Sequence, residues 1–254
     1  MAAPVLAGAV CLALTASAGA GACADGAAGQ PVRIRDVRVN GSAEMVPAEG
    51  PVLRLAGLVI LPDESAAAAD RIRHLAAGAP LRATYLGPPD RHGRQPVRIG
   101  DPDAADLAAV LLESGLAVLT GELDPGPCTT ALQAAEAAAR AARRGVWAGG
   151  NVGPFSAADP ELAARAGRFA IVEGTVLSTG QTSRTRFLNF GRHWTLDFTV
   201  TISESDRQDF VTAGVDPATL TGTRVRVRGW LLSRNGGAMR LSRPGQIERL
   251  GMSE

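Results

Sequence analysis

Three arginines alternate with valines in Arg224-Val225-Arg226-Val227-Arg228, and this spacing could do chemistry on a polyanion. Successive residues of a β-strand point to opposite faces, so the three guanidinium groups would share one face. Aromatic residues lie in the same part of the chain: Trp194, Trp230, Phe187 and Phe190. A basic groove with aromatic side chains binds single-stranded nucleic acid by neutralising phosphates and stacking bases. The pattern predicts Arg224, Arg226, Arg228 and Trp194 as nucleic-acid-binding residues. The alternative is a solvated arginine face over an aromatic core.

Composition weakens the indication that any single arginine gives. All 26 basic residues of the 254-residue chain are arginines, and no lysine occurs. The formal net charge is only +1, so nucleic-acid binding would require a local basic patch. The histidines and cysteines lack the paired spacing of a zinc site, and the sequence therefore predicts no metal-binding residues.

Three segments together carry a family resemblance: Asp90-Arg91-His92-Gly93-Arg94, the run 111–117, and Arg143-Arg144-Gly145-Val146-Trp147 after an alanine-rich stretch. In these segments the chain resembles the thermonuclease family, also called staphylococcal-nuclease-like. The resemblance implies hydrolysis of the backbone of DNA or RNA with one Ca²⁺, a glutamate as general base, and two phosphate-binding arginines. Arg54 and Arg94 match those two arginines. The alternative for both is a surface arginine that is solvated or paired with an acid.

The other family positions hold residues that cannot do this chemistry. Where the family has Asp-Gly-Asp-Thr, the chain has Asn40-Gly41-Ser42-Ala43, and where it has Asp-x-Pro-Glu, the chain has Val59-Ile60-Leu61-Pro62. Calcium requires oxygen ligands, and a general base must accept a proton. The substitutions therefore predict loss of activity and no bound cofactor. A shift of one or two residues would put Asp63 or Glu64 at the base position, which leaves an active Ca²⁺-dependent enzyme open as an alternative.

The beginning of the chain has the pattern of a secretory signal peptide, which we assign to residues 1–23. Its apolar run is too short to span a membrane as a mature helix. We therefore expect an exported protein, periplasmic or secreted, with no transmembrane segment in the mature chain. Cleavage near Ala18 or Ala22 would leave Cys23 and Cys128, an even pair that permits one disulfide in an oxidising compartment. A lipid anchor on Cys23 is the alternative.

Residues 31–148 have strands first and helices last, which is typical of an α+β unit. Alternation and turn residues predict strands over Pro31–Val39, Val52–Leu61, Leu81–Leu86 and Arg94–Ile99, the last two forming a hairpin. Helices are predicted from Asp63 or Ser65 to Gly78, from Leu107 to Gly115, and from Thr130 to Gly145. The resemblance implies that these elements form a five-stranded OB-type barrel with helices.

Residues 149–166 have the composition of a linker, and residues 167–251 are predicted to be mostly β. Strands are predicted over Phe169–Ser178, Trp194–Ile202, Arg224–Leu232 and Ala238–Leu250, with a helix over Glu204–Ala213. About five strands with one helix indicate a small closed barrel of the OB-like type. The runs 187–191 and 194–199 resemble the OB-like domain that follows the thermonuclease domain in some exported proteins.

The sequence as a whole therefore predicts an exported, thermonuclease-like protein without hydrolytic activity that binds DNA, RNA or another polyanion. Two alternatives remain open. One is an active Ca²⁺-dependent phosphodiesterase, with Arg54 and Arg94 binding the phosphate and Asp63 or Glu64 acting as the base. The other is a structural protein of the cell envelope whose two barrels bind a protein partner.

Overall fold

The computed structural model describes residue 23 and residues 29–78, 81–100, 106–193, 196–234 and 236–251. The predicted signal peptide, as far as residue 22, and Trp194 lie outside the described residues. Within the described part of the chain, no helix is both long and apolar enough to cross a membrane. The architecture is α+β, as the sequence predicts, with one curled sheet and its helices followed by a second, mostly β sheet.

The first half contains the following elements: β1 (Gln30–Val32), β2 (Ile34–Val39), β3 (Ala43–Pro47), β4 (Leu53–Leu55), β5 (Leu58–Val59), α1 (Ser65–Gly78), β6 (Leu81–Tyr85), β7 (Gln95–Gly100), α2 (Leu107–Glu113), β8 (Val118–Leu119) and α3 (Pro127–Ala141). The main sheet has the order β1-β6-β7-β4-β3-β2, in which β4 and β7 run parallel. Because β1 and β2 are separated by Arg33 alone, one stretch of chain supplies both edges and the sheet curls. Strands β5 and β8 pair separately.

Several boundaries in the first half differ from the sequence expectation. The predicted strand over 52–61 is divided by a turn at Gly57, whose φ of 74° favours glycine. The predicted strand over 31–39 is interrupted at Arg33, and β3 was not predicted. Helix α3 begins at Pro127 rather than Thr130, because proline is favoured in the first helical turn. Helix α2 ends at Glu113, and Gly115, with φ 70° in the left-handed region, takes the C′ position that the sequence predicts.

The second half contains β9 (Phe155–Ser156), β10 (Phe169–Thr175), β11 (Ser178–Gln181), β12 (Thr185–Asn189), β13 (Thr199–Ser203), α4 (Arg207–Thr212), β14 (Arg224–Leu232), β15 (Ala238–Leu241) and β16 (Ile247–Arg249). The sheet has the order β11-β12-β13-β15-β14-β10-β9, with β16 paired to β14 and with β13 parallel to β15. The predicted strand over 194–202 is shorter than expected: it begins at Thr199, after a turn in which the amides of Leu196 and Asp197 donate to the His193 carbonyl.

The two halves have the same strand connectivity. In each half, the first strand is divided into two segments. One segment pairs with the second strand and the other with the fourth, and the third strand runs parallel to the fifth. In each, a helix, α1 or α4, lies in the chain between the third and fourth strands. Residues of different sequence thus form one arrangement of strands twice.

The halves also share a hydrophobic cluster. Side chains from the first half pack in it against Val152, Phe169 and Ile171. The first-half members are Val59, Val118, Ala139, Val146 and Trp147. Segment 149–166, whose composition is that of a linker, contributes the fully buried Val152 and Leu162, and its strand β9 pairs with β10. The contact between the halves is therefore an apolar, packed interface.

Candidate functional site

Asp90 organises the turn between β6 and β7. Its Oδ1 accepts hydrogen bonds from the amides of His92 (2.8 Å) and Arg94 (3.1 Å), and Gly93 adopts a φ of 72°. The other carboxylate oxygen, Oδ2, accepts from Nε of Arg94 at 2.9 Å. The hydrogen bond from Arg94 holds the pKa of Asp90 well below its usual range. The turn therefore fixes both a negative charge and the guanidinium of Arg94 in place.

Arg94 has a second acidic partner. Its Nη1 donates to Oε1 of Glu44 at 2.6 Å, and Nη2 lies 2.8 Å from Asp90 Oδ2. These hydrogen bonds, chiefly the one to Glu44, raise the pKa of Arg94. Glu44 lies on β3 directly opposite Arg54 on β4, and Nε of Arg54 is 3.8 Å from Asp90 Oδ2. We call Arg54, Arg94, Glu44 and Asp90 the paired-arginine cluster.

The paired-arginine cluster carries no net charge. Each arginine that matches a phosphate-binding position already faces a carboxylate, and all four side chains are only 21–27% exposed. A phosphate would have to compete with Asp90 and Glu44 for the guanidinium hydrogens of Arg94. Nε of Arg54, by contrast, is 3.8 Å from Asp90, beyond hydrogen-bonding distance. Glu44 was not singled out in the sequence. The sequence feature that could have indicated Glu44 is its place directly after the turn 40–43. The alternation that follows puts its side chain on the face that Arg54 shares.

The turn 40–43 and the run 59–62, where the resemblance implies metal ligands and a base, lie close together in this fold, and neither contains a carboxylate. The amide of Ile60 donates to the Gly41 carbonyl at 3.0 Å, which brings turn 40–43 beside the run 59–62. Val59 and Ile60 are only 3% and 0% exposed and belong to hydrophobic clusters. Aliphatic side chains cannot coordinate Ca²⁺, so these residues do not fit that ion. Within the described residues, no group of three or more potential metal ligands occurs.

Asp63 and Glu64 lie in a short 3-10 helix, Pro62–Glu64, that leads into α1. Asp63 is exposed and Glu64 is partly buried. None of the ion pairs recorded between described residues involves either carboxylate. The structure thus sets these two carboxylates directly after a run whose Val59 and Ile60 are buried aliphatic side chains.

The arginines of β14 are paired with glutamates. Arg224 Nη2 lies 3.0 Å from Glu173 on β10, and Arg226 contacts both Glu173 (2.7 Å) and Glu248 (3.1 Å). Arg228 is 7% exposed and belongs to the interface between the halves. The three predicted nucleic-acid-binding arginines are therefore engaged within the protein.

Arg228 forms a buried ion pair with Glu136 of α3. Its Nη1 lies 3.0 Å and 3.1 Å from the two Glu136 oxygens and also donates to the Leu119 carbonyl at 3.1 Å. Glu136 in turn accepts from the Leu119 amide at 2.8 Å, and Arg140 lies 3.8 Å away. Sequence reasoning missed Glu136. Its signal was a lone acid between Leu132 and Ala139 on the apolar face of an alanine-rich helix.

The predicted thiol pair is joined in the structure. Cys23 and Cys128 form a disulfide with an S–S distance of 2.11 Å, across a sequence separation of 105 residues. Both cysteines are buried. Because Cys128 is the second residue of α3, the bond ties residue 23 to the beginning of that helix.

A cleft of about 810 Å³ lies on the second sheet, and of the residues that the sequence indicated it contains only Phe187 among its described lining. It is lined by Gly180, Gln181, Arg184, Thr185, Phe187, Asn189, Thr199, Thr201, Ser203, Arg234, Ala238 and Arg240. We call this surface the outer face. The opposite face of the same strands carries the buried residues Leu188, Val200, Ile202, Met239 and Leu241. The signal in the sequence was polar alternation in β12 and β13.

No protein family and no curated protein shows significant similarity to this chain.

Proposed function

We propose that the chain is an exported, thermonuclease-like protein that has lost phosphodiesterase activity and binds nucleic acid or another polyanion. We also propose that each half is an OB-type barrel. The support for the fold is the connectivity that the halves share, with the parallel pairs β4–β7 and β13–β15. The support for export is the leader-like beginning of the sequence together with the disulfide between Cys23 and Cys128.

The observation that carries the loss of activity is the burial of Val59 and Ile60 beside the turn 40–43. Hydrolysis by the family's chemistry needs carboxylates there, and loss of a general base alone costs about 10²- to 10⁴-fold in rate. Loss of the metal removes the main stabiliser of charge at the phosphate as well. The two retained arginines cannot compensate, because Glu44 and Asp90 neutralise them.

The test is a calcium-dependent hydrolysis assay on plasmid DNA and on RNA with the purified, disulfide-bonded protein. We expect no cleavage that depends on Ca²⁺, and binding that weakens with salt and persists in EDTA. Calcium-stimulated cleavage that disappears in Arg94→Ala would overturn the proposal. If Glu64→Gln abolished that cleavage too, while Asp63→Asn did not, Glu64 would be the base of an active enzyme.

A second candidate, a module that binds a protein partner, is favoured by one observation. Trp230 and Leu232 are 52% and 45% exposed on the same face of β14. An oligonucleotide titration at several salt concentrations separates the candidates, because phosphate binding releases counterions and protein binding through apolar groups does not. If the protein bound no oligonucleotide at any salt concentration, the result would favour the protein partner.

A further inference from the structure

The outer face gathers three exposed arginines whose guanidinium groups have no partner among the described residues. Arg184, Arg234 and Arg240 are exposed, and within the described part of the chain none of their guanidinium groups forms an ion pair or hydrogen bond. No acidic side chain lines the cleft among the described residues. The contrast with Arg54, Arg94 and the β14 arginines is therefore one of partners: those guanidinium groups face carboxylates, whereas these three face solvent.

A row of residues crosses the centre of the outer face. Gly180, Phe187, Thr201 and Arg240 are consecutive cross-strand partners on β11, β12, β13 and β15. Gly180 puts no side chain beside Phe187, so the half-buried ring keeps an open flank in the cleft. Adjacent strands are about 4.8 Å apart, which sets Arg240 about 10 Å from Phe187 along the row. The row thus sets a guanidinium group about 10 Å from an aromatic ring, a separation that neighbouring groups of one polymer ligand can span.

The rows on either side carry small hydroxyl and amide groups. Asn189 pairs with Thr199, and Thr185 pairs with Ser203. These groups both donate and accept hydrogen bonds, so they suit the edges of bases and sugars without adding charge. An ion pair near the cleft, Arg186 with Glu204 at 2.7 Å, is internally neutral and holds the end of β12.

We infer that the outer face binds single-stranded nucleic acid, with a base stacked on Phe187 and phosphates contacted by Arg184, Arg234 and Arg240. This inference rests on the proposed function, in which the ligand is a polyanion. A single strand fits better than a duplex, because its bases are free to stack on a ring set in a sheet face, whereas a duplex presents its backbone. The ring also distinguishes the site from a patch that binds any polyanion through charge alone.

The test is fluorescence anisotropy with a labelled oligothymidylate of about 12 nucleotides, a duplex of the same length, and heparin as competitor. We expect the full-length protein to bind the single strand more tightly than the duplex. Phe187→Leu, which keeps the packing on β12, should weaken single-strand binding about 5- to 100-fold and leave duplex binding unchanged. Equal binding of both oligonucleotides, or an unaffected Phe187→Leu variant, would overturn the stacking role.

Charge removal is tested with a matched control. The triple variant Arg184→Ala, Arg234→Ala, Arg240→Ala should lower the slope of log affinity against log salt by about 2, since each phosphate contact on a single strand contributes about 0.7. The control variant removes three exposed arginines elsewhere, Arg33→Ala, Arg71→Ala and Arg168→Ala. Equal effects of the two variants would refute this surface while the proposed function stands. If the wild-type protein binds neither oligonucleotide nor heparin, the proposed function fails as well.

Discussion

The two halves of the molecule have the same order of strands, but the paired-arginine cluster of the first and the outer face of the second hold their arginines in opposite ways. In the first half, Arg54 and Arg94 sit between Asp90 and Glu44, so the site is closed by its own ion pairs. In the second half, the outer face exposes Arg184, Arg234 and Arg240, and the described residues that line its cleft include no acid. Connectivity alone therefore does not locate a binding site. The partner of each charged group does.

The halves differ again where they meet. The first half contributes a buried carboxylate, Glu136, and the second a buried guanidinium, Arg228. Neither charge has a comparable partner within its own half, since Glu136 lies 3.8 Å from Arg140, against 3.0 Å from Arg228. Each half thus supplies the opposite charge that offsets the desolvation cost of the charged group buried by the other half. This junction is the first place to test how independent the halves are.

Arg228→Ala is expected to have the largest effect on stability. It leaves Glu136 buried without its closest cation, and breaking a buried pair in this way costs about 3–5 kcal/mol of unfolding free energy. The measurement is urea unfolding followed by far-ultraviolet circular dichroism and tryptophan fluorescence. We expect the two signals to coincide in the wild type, because a shared apolar cluster joins the halves.

The control for that prediction is the double variant Glu136→Gln, Arg228→Met, which removes both charges and retains an acceptor for the Leu119 amide. It should be clearly more stable than Arg228→Ala. If Arg228→Ala lowered the unfolding free energy by less than about 1 kcal/mol, the buried pair would contribute little to stability. The halves would then be held together mainly by their apolar contact.

Reduction of the disulfide is expected to have the next largest effect. The bond between Cys23 and Cys128 closes a loop across a sequence separation of 105 residues, and such crosslinks stabilise by about 2–4 kcal/mol through the unfolded chain. The unfolding midpoint should fall on reduction. Cys23→Ser, Cys128→Ser should match the reduced protein and be insensitive to the reductant. An oxidised protein with two freely alkylated thiols would contradict the bond.

Local patterns predicted much of the fold. The alternation of arginine and valine predicted β14 from Arg224 to Leu232, and Gly115 predicted where α2 ends. Both features depend on residues close together in the chain. Strand β3 was missed because its neighbours in the sheet, rather than a long alternation of its own, make Ala43–Pro47 a strand.

The candidate site was predictable only in part, because its chemistry depends on contacts between distant residues. The row of arginines on β14 indicated a basic face, but Glu136, which pairs with Arg228, is 92 residues away. Arg54 and Arg94 were located from motifs, yet their neutralisation by Glu44 required the register of β3 on β4. Sequence spacing gives the face of a strand. It does not give the charge that packs across from that face.

Asp106 offers a smaller, local test within the first half. Its Oδ1 caps α2 by accepting from the amides of Ala108 (2.8 Å) and Ala109 (3.2 Å). Asp106→Ala should cost about 1 kcal/mol, and Asp106→Asn, which can still cap, should cost less. Burial raises the pKa of Asp106, so the folded state takes up its proton at a higher pH than the unfolded state. The wild type should therefore gain stability relative to Asp106→Asn as pH falls through that pKa.

Removing the two acidic charges of the paired-arginine cluster is expected to have the smallest effect. It is also the most direct test of the contrast between the halves. The double variant Glu44→Gln, Asp90→Asn keeps the size of both side chains and removes both charges, so Arg54 and Arg94 become a site of net charge +2. Partly exposed ion pairs contribute about 0.2–1 kcal/mol each, so we expect each arginine that is freed to add at most a roughly fivefold gain in oligonucleotide affinity, measured by anisotropy at low salt. The gain should vanish when Arg94→Ala is added. A variant that binds no better than wild type would show that more than ion pairing keeps phosphate from the first half, and the burial of Val59 and Ile60 would then be the next feature to change.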